Sequence, residues 1–499
     1  MLAKRTDDLL ALAALTACAV LCVTFRYLPM VDLPQHYAMV SILLHRTDPA
    51  WGFAQRYTTD FLHRPYATVY WLGEALGWAM PLGVAMRIVV AVCTVAPFAG
   101  AYALLVAARR SRGWLLPAIP FAFGSLWHWG FLNFLLGTGL FLAGLALVLR
   151  VAEKPSRAGE VGLGALALVL LFTHFHGLVM LLLCAPLMAW SRAPEGGRSS
   201  YLRALVPLAP AALAGAAFVL VTWSQATGQW ARLYPGMAER VLRFTEFLAW
   251  GLPGTLPSVE LAAIAALAAT GIALGGEGLR PRRALIAFAL VLAGQILMYL
   301  LLPLNTNTAT YVSARHALLI VLLALPLLPT LQGRRLLVLR AGGLLAAAVG
   351  LAMTWRHLAC FDREARDFDG VLSAMQPARR LAPLVFARAS ACCDDRSFPY
   401  LHFGAYYQAA KGGELSRSFA VVWNVPIRYR DDYARYPYRE ELEWQPGRFS
   451  PEDARHFDYV LVRGRGSPPP QLGLREIARS GMWAAFENPN ALPADLPPP

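Results

Sequence analysis

In Val31-Asp32-Leu33-Pro34-Gln35-His36 a carboxylate and an imidazole stand four residues apart, shortly after an apolar run. Other ionisable groups mark the ends of later apolar runs, or breaks in them: Arg87, His128 between Trp127 and Trp129, His174 and His176 flanking Phe175, and Arg315 beside His316. The set suits one kind of chemistry. A carboxylate, histidines and arginines together suit an anionic ligand and proton transfer. Ionisable residues at membrane depth are costly and tend to line a cavity, as His128 would here. Each residue also has a plain structural reading. Asp32 is placed to cap the helix that Leu33-Pro34 opens. His36 suits the polar face of that helix, and His128 an interfacial aromatic cluster. His174 and His176 suit the backbone of a broken helix, and Arg315 a headgroup anchor. His-x-His alone is weak evidence for a metal.

Whether these residues meet depends on the elements that carry them. Of the 499 residues 57% are hydrophobic and 15% charged, where a soluble domain has about a quarter charged. Apolar runs near the ~20 residues that span a bilayer recur from Leu9 to Trp355. The net charge of +14 lies largely in short loops, the pattern of a membrane protein and not of a nucleic-acid binder. Lys4 and Arg5 place the N-terminus in the cytoplasm. Leu15-Thr16-Ala17-Cys18 looks like a lipoprotein cleavage box, but Asp7 and Asp8 in the basic region favour an uncleaved first span.

The positive-inside rule then gives about eleven spans. The first is Leu9–Phe25, followed by a long outer loop over 26–81 with surface-lying stretches at His36–Leu44 and Ala67–Met80. Leu82–Ala108 comes next, then a hairpin of Trp114–Leu126 and Phe131–Leu149. Val161–Trp190 is read as two short helices broken at Thr173–Gly177, which returns Arg192, Arg198 and Arg203 to the cytoplasm. Ala204–Trp223, Val259–Leu274, Ala284–Leu302, Ala317–Leu331 and Leu336–Trp355 complete the set. On this topology the residues singled out above fall at the outer boundary. The chain is expected to be a multi-pass protein of a bacterial inner membrane, N-terminus cytoplasmic and C-terminal domain periplasmic.

Residues 1–355 read as the membrane domain, 356–490 as an α/β domain, and 491–499 as a Pro-rich disordered tail. In the α/β region Leu384–Ala387, Phe419–Trp423 and Tyr459–Val462 are strand candidates, with Tyr400–Lys411 helical and Trp483–Glu487 a last edge strand. Cys360 is expected to pair with Cys392 or Cys393 if the domain is extracytoplasmic.

The membrane body resembles the GT-C superfamily of polytopic membrane glycosyltransferases. Four features carry the resemblance. Helix 1 is followed at once by a long outer loop with an acidic residue near its start, Asp32. The loop runs through Arg64-Pro65-Tyr66-Ala67-Thr68-Val69-Tyr70 before the second span. Two short helices flank a polar-Gly break at Thr173–Gly177. A soluble domain follows the last helix. Many members have two adjacent acidic residues in the first loop, whereas here Asp32 has no acidic neighbour.

The resemblance implies a sugar transferred from a polyprenyl-phosphate donor to an extracytoplasmic glycan, lipid or protein acceptor, with inversion. It makes Asp32 the candidate base. His36 would orient Asp32 or bind a divalent metal (Mg or Mn). Arg315, His316, His174, His176 and Arg87 become candidates for the donor phosphate. A transporter or lipid flippase, and a catalytically inactive GT-C-like scaffold that binds a glycan, are the other two readings.

Overall fold

The computed structural model describes residues 2–64, 66–194, 197–226, 232–249, 282–306, 309–393, 397–436, 439–466 and 472–493, with isolated positions between 262 and 278. Among them, helices long and apolar enough to cross a membrane are seven: Arg5–Thr24, Leu82–Ala107, Leu132–Glu153, Phe175–Arg192, Arg198–Thr222, Arg282–Leu301 and Gly333–Ala374. The other spans expected from the sequence differ in kind. Trp114–Leu126 is largely a buried 3-10 run, Arg112–Phe123, in which Pro117 and Pro120 lack the N–H groups an α-helix needs. Arg157–Thr173 is a helix of 17 residues, and Arg315–Leu327 is shorter still. Most of Val259–Leu274, and the end of the Pro-rich tail, lie outside the described residues.

The chain divides into two compact units. Met1–Cys22, Val90–Trp127 and Phe131–Trp355 form the first; Val23–Val89, His128–Gly130 and Arg356–Pro499 form the second. The division departs from a boundary at 355, because the loop after helix 1 belongs with the C-terminal region.

In the first unit, Leu132–Glu153 packs against both Arg157–Thr173 and Phe175–Arg192. Asp7, 5% exposed, pairs with Arg340 at 2.7 Å, and Asp8 pairs with Arg112. These acids sit among the N-terminal basic residues because each neutralises an arginine from another element. A buried carboxylate without such a partner would cost several kcal/mol.

In the second unit, Leu33–Leu44 is buried along nearly its whole length and packs on the helix Ala405–Lys411. It is a core helix and not the surface-lying amphipath expected over His36–Leu44. Burial of Leu33, Met39, Val40, Ile42 and Leu43 contributes about 1.5–3 kcal/mol each. The loop is tied down elsewhere too. Tyr27 N–H donates to Asp362 at 2.8 Å, its hydroxyl donates to Asp369 at 2.7 Å, and Tyr57–Thr59 pairs antiparallel with Ile427–Tyr429.

A five-stranded mixed sheet organises the C-terminal region. Arg380–Val385 lies between parallel Glu414–Leu415 and Tyr459–Arg463. Trp483–Glu487 pairs antiparallel with Tyr459–Arg463 and with Arg475–Ser480. Trp483–Glu487 is therefore an inner strand, and the edge is Arg475–Ser480, whose charged sequence hid it. The first strand begins before Leu384, and Phe419–Val421 is a 3-10 turn instead of a strand. Cys360 is disulfide-bonded to Cys392, which leaves Cys393 outside the bond.

His456, just before Tyr459–Arg463, is 3% exposed with its ring against Tyr436. Burial, and then the Arg380 charge, push its pKa down to about 4. Unfolded, it titrates near ~6.5. The folded state therefore prefers the neutral ring. This preference stabilises fully above ~6.5 and is lost as pH falls toward about 4, at up to ~1.4 kcal/mol per pH unit. The melting temperature of the whole protein is expected to drop between pH 7 and 5, and to drop less in His456→Phe. Equal drops would assign the acid sensitivity to other groups.

Candidate functional site

Asp32 precedes Leu33–Leu44 in the N-cap position, but its side chain makes no capping bond, and its φ of −88° and ψ of −10° are not those of a usual cap. The carboxylate faces another partner. Oδ1 lies 3.0 Å from Nδ1 of His402, at ion-pair distance but at an angle too poor for a hydrogen bond. Nε2 of the same ring bonds Glu443, and Arg417 pairs with the other oxygen of Glu443. The result is a chain of alternating groups: Asp32, His402, Glu443, Arg417. His402 and Glu443 side chains are 5% and 7% exposed. Burial, and then the Arg417 charge, lower the His402 pKa, against the pull of Asp32.

The Asp32 loop is braced from two sides. Val31 and Asp32 N–H groups donate to the carbonyls of His128 (2.8 Å) and Trp129 (3.1 Å). Gly130 follows with φ +85°, and a Cβ there would lie 3.1 Å from both Cβ and N of Asp32. This explains the glycine in Trp129-Gly130-Phe131. Gly130→Ala is expected to cost about 1–2 kcal/mol in backbone strain and to displace Asp32. Unchanged melting temperature and unchanged turnover in that variant would show that Gly130 does not brace Asp32.

From the other side, Gln35 Nε2 donates to Arg417 O at 3.1 Å and its Oε1 accepts from Phe419 N–H at 3.0 Å. One side chain thus fixes the backbone that carries Arg417. A cavity of about 40 Å³ is bordered by Gln35, His402, Arg417, Arg439 and Glu443. Its size suits a few waters and not a sugar.

His36 has a different role from the one expected. Nε2 lies 3.1 Å from Gly130 O, so it carries the proton, and Nδ1 accepts from the Tyr70 hydroxyl at 3.0 Å. Both nitrogens are occupied, which leaves none for a metal or for Asp32. His128 sits in a buried pair. His357 Nδ1 donates to Cys392 O at 2.8 Å, and His128 Nε2 meets the remaining His357 nitrogen at 3.2 Å. It borders neither cavity described here. Arg87 donates to the carbonyls of Gly83 and Val23, both at 3.0 Å.

The remaining candidates come together in the first unit. His174 ends Arg157–Thr173 and opens Phe175–Arg192: its N–H donates to Leu170 O, and its carbonyl accepts from Gly177 N–H. The break expected at Thr173–Gly177 is therefore real, and one residue serves both helices. Gly137 makes room for it, since a Cβ there would lie 2.6 Å from that of His174. The His176 ring stands edge-on to His174 and to His316, with centroids 6.0 and 5.1 Å away. His316 Nδ1 bonds Gln295 Oε1 at 2.8 Å. Arg315 lies over the faces of Phe131 and Phe134, at 5.0 and 5.7 Å. Among the described residues, Nε2 of His176 and of His316 are buried without a hydrogen-bond partner, a costly state unless one arrives. A small cavity is bordered by Phe134, Thr138, His174 and His176.

Among the described residues no three His, Cys, Asp or Glu side chains converge as metal ligands. Asp32 and Glu443 face His402 and Arg417 instead, so the residues present do not fit Mg or Mn.

Sequence reasoning missed His402, Glu443 and Arg417. They lie about 370 to 410 positions beyond Asp32, in segments with no motif spacing.

No protein-family model matches the chain, and no curated protein sequence matches it. Solved structures do. The crystal structure of ArnT from Cupriavidus metallidurans bound to undecaprenyl phosphate aligns over 98% of this chain and 100% of its own, with TM-score 0.50 and 12% identity. The arabinofuranosyltransferase AftD from Mycobacteria, solved by cryo-EM, aligns over 99% of this chain and 42% of its own, with TM-score 0.49 and 15% identity. The chain is a polytopic membrane protein with the GT-C-like fold.

Proposed function

We propose that this protein is a membrane glycosyltransferase that moves a sugar from a polyprenyl-phosphate donor to an extracytoplasmic glycan, lipid or protein acceptor. One observation carries the reading. On a fold like that of ArnT, whose structure holds undecaprenyl phosphate, the single acid at the start of the first loop makes no capping bond and has an imidazole nitrogen 3.0 Å away. An acid that only capped its helix would have no use for that partner.

In the proposed reaction Asp32 takes the proton of the acceptor hydroxyl. The oxygen attacks the anomeric carbon, the bond to the phosphate breaks, and the electron pair leaves on the phosphate. Separately, within the first unit, Arg315 with His176 Nε2 and His316 Nε2 is proposed as a phosphate-binding group. A guanidinium stacked on aromatic rings keeps its charge where water is scarce. No step is routed through a metal.

The test is turnover by purified protein in nanodiscs, with radiolabelled polyprenyl-phosphate sugars as donors and native membrane extract as acceptor source. Label transferred to the extract supports the reading. Donor bound without turnover would select the inactive scaffold, and donor moved across the bilayer would select the flippase.

A further inference from the structure

His402 stands between two carboxylates, and proton counting limits what it can be. A neutral imidazole has one N–H and one lone pair. It donates to one carboxylate and turns the lone pair on the other. The closer contact is with Glu443, whose second oxygen is neutralised by Arg417. Either ring nitrogen can carry that proton; with it on Nε2, toward Glu443, Nδ1 is left as the acceptor. Nδ1 faces Asp32 Oδ1 at 3.0 Å. A neutral ring between the two carboxylates has room for one more proton.

We propose that His402 takes up the proton that Asp32 removes from the acceptor, and that Glu443 and Arg417 hold the ring in the tautomer that receives it. The proposal rests on Asp32 being the base. The acceptor O–H bond breaks onto Asp32, and the proton passes from the carboxylic acid to Nδ1. The oxygen's electron pair forms the new bond to the anomeric carbon. The phosphate leaves with the pair of the broken bond.

The imidazolium so formed lies between two carboxylates, Asp32 and Glu443, and one of them keeps its arginine. The titratable and charged groups near the ring are thus Asp32, Glu443, Arg417 and His36, with the Val31 carbonyl and the neutral amide of Gln35 beside it. That cavity borders His402 and Glu443 and has room for a few waters, to which the proton is released after turnover. His402 acts through Asp32 and is a positioning residue. The lack of a second acid beside Asp32 is met by a histidine from the C-terminal region.

Two measurements on the whole protein in nanodiscs test this. The first is transfer from a polyprenyl-phosphate sugar by wild type, His402→Gln and Glu443→Gln across pH. The expected result is a fall in kcat of about 10²-fold in His402→Gln, with the donor KM unchanged and the acid limb of the pH–rate profile displaced. Superimposable profiles overturn the proposal. So does a fall in kcat with an unmoved profile and a lowered melting temperature, which would mark a structural role. The second is NMR titration of 15N-labelled His402 in wild type and Asp32→Asn. Loss of the neighbouring anion is expected to lower its titration midpoint by about one pH unit or more. An unmoved midpoint overturns the proposal whatever the assay reads. Absence of turnover by wild type with a shifted midpoint would reject the glycosyltransferase reading and leave the Asp32–His402 coupling standing.

Discussion

Asp32→Asn is expected to lower transfer by roughly 10²–10⁴-fold, the range for loss of a positioned general base. The substitution is a clean one because of what Asp32 does not do. Its side chain makes no capping bond to Leu33–Leu44, so an isosteric amide takes nothing from the helix end. Its backbone bonds to His128 and Trp129 do not involve the side chain. The helix is held instead by eleven buried residues and by its packing on Ala405–Lys411. The variant should insert, fold and melt within a few degrees of wild type, with donor affinity retained. The assay is single-turnover transfer in nanodiscs, with binding of the donor measured separately. Full turnover in a correctly folded variant would remove Asp32 from the role of base.

The second large effect is expected at Arg315. Arg315→Gln should reduce kcat/KM by about 10²–10³-fold, the cost of removing one preorganised charge from a developing anion. The guanidinium is fixed over two aromatic rings, so its position does not depend on the ligand. Arg315→Lys keeps a charge but loses the planar group that stacks on Phe131 and Phe134, and is expected to recover only part of the activity. The neighbouring histidines provide a contrast. His176→Gln removes one buried nitrogen without changing the resident charge, so its loss should be smaller than that of Arg315→Gln. Donor titration of each variant, followed by initial rates, separates binding from turnover. Arg315→Gln with unchanged kcat and KM would place the phosphate elsewhere.

Several long apolar helices were legible because hydrophobic length is a local property. Leu82–Ala107, Phe175–Arg192 and Arg282–Leu301 follow from apolar runs alone. The break at His174 was legible for the same reason: polar residues in mid-run violate a spanning pattern. His174, His176, Arg315 and His316 could then be grouped, and the first unit does bring them together. Tyr459–Arg463 was legible too, as a β-branched apolar run fully buried in the sheet.

Other features were decided by partners far along the chain. Leu33–Leu44 carries polar residues that suggest a wet face, but Gln35 and His36 are buried because Arg417, Phe419, Tyr70 and Gly130 satisfy them. Arg475–Ser480 is charged and exposed, so only pairing with Trp483–Glu487 makes it a strand. The sequence by itself determined where the long apolar helices lie, where one apolar run breaks, and that a lone acid follows the first helix. Tertiary structure alone decided what that acid faces. A carboxylate's partner is chosen by distance in space, and His402, Glu443 and Arg417 reach Asp32 only because the loop and the C-terminal region fold as one unit.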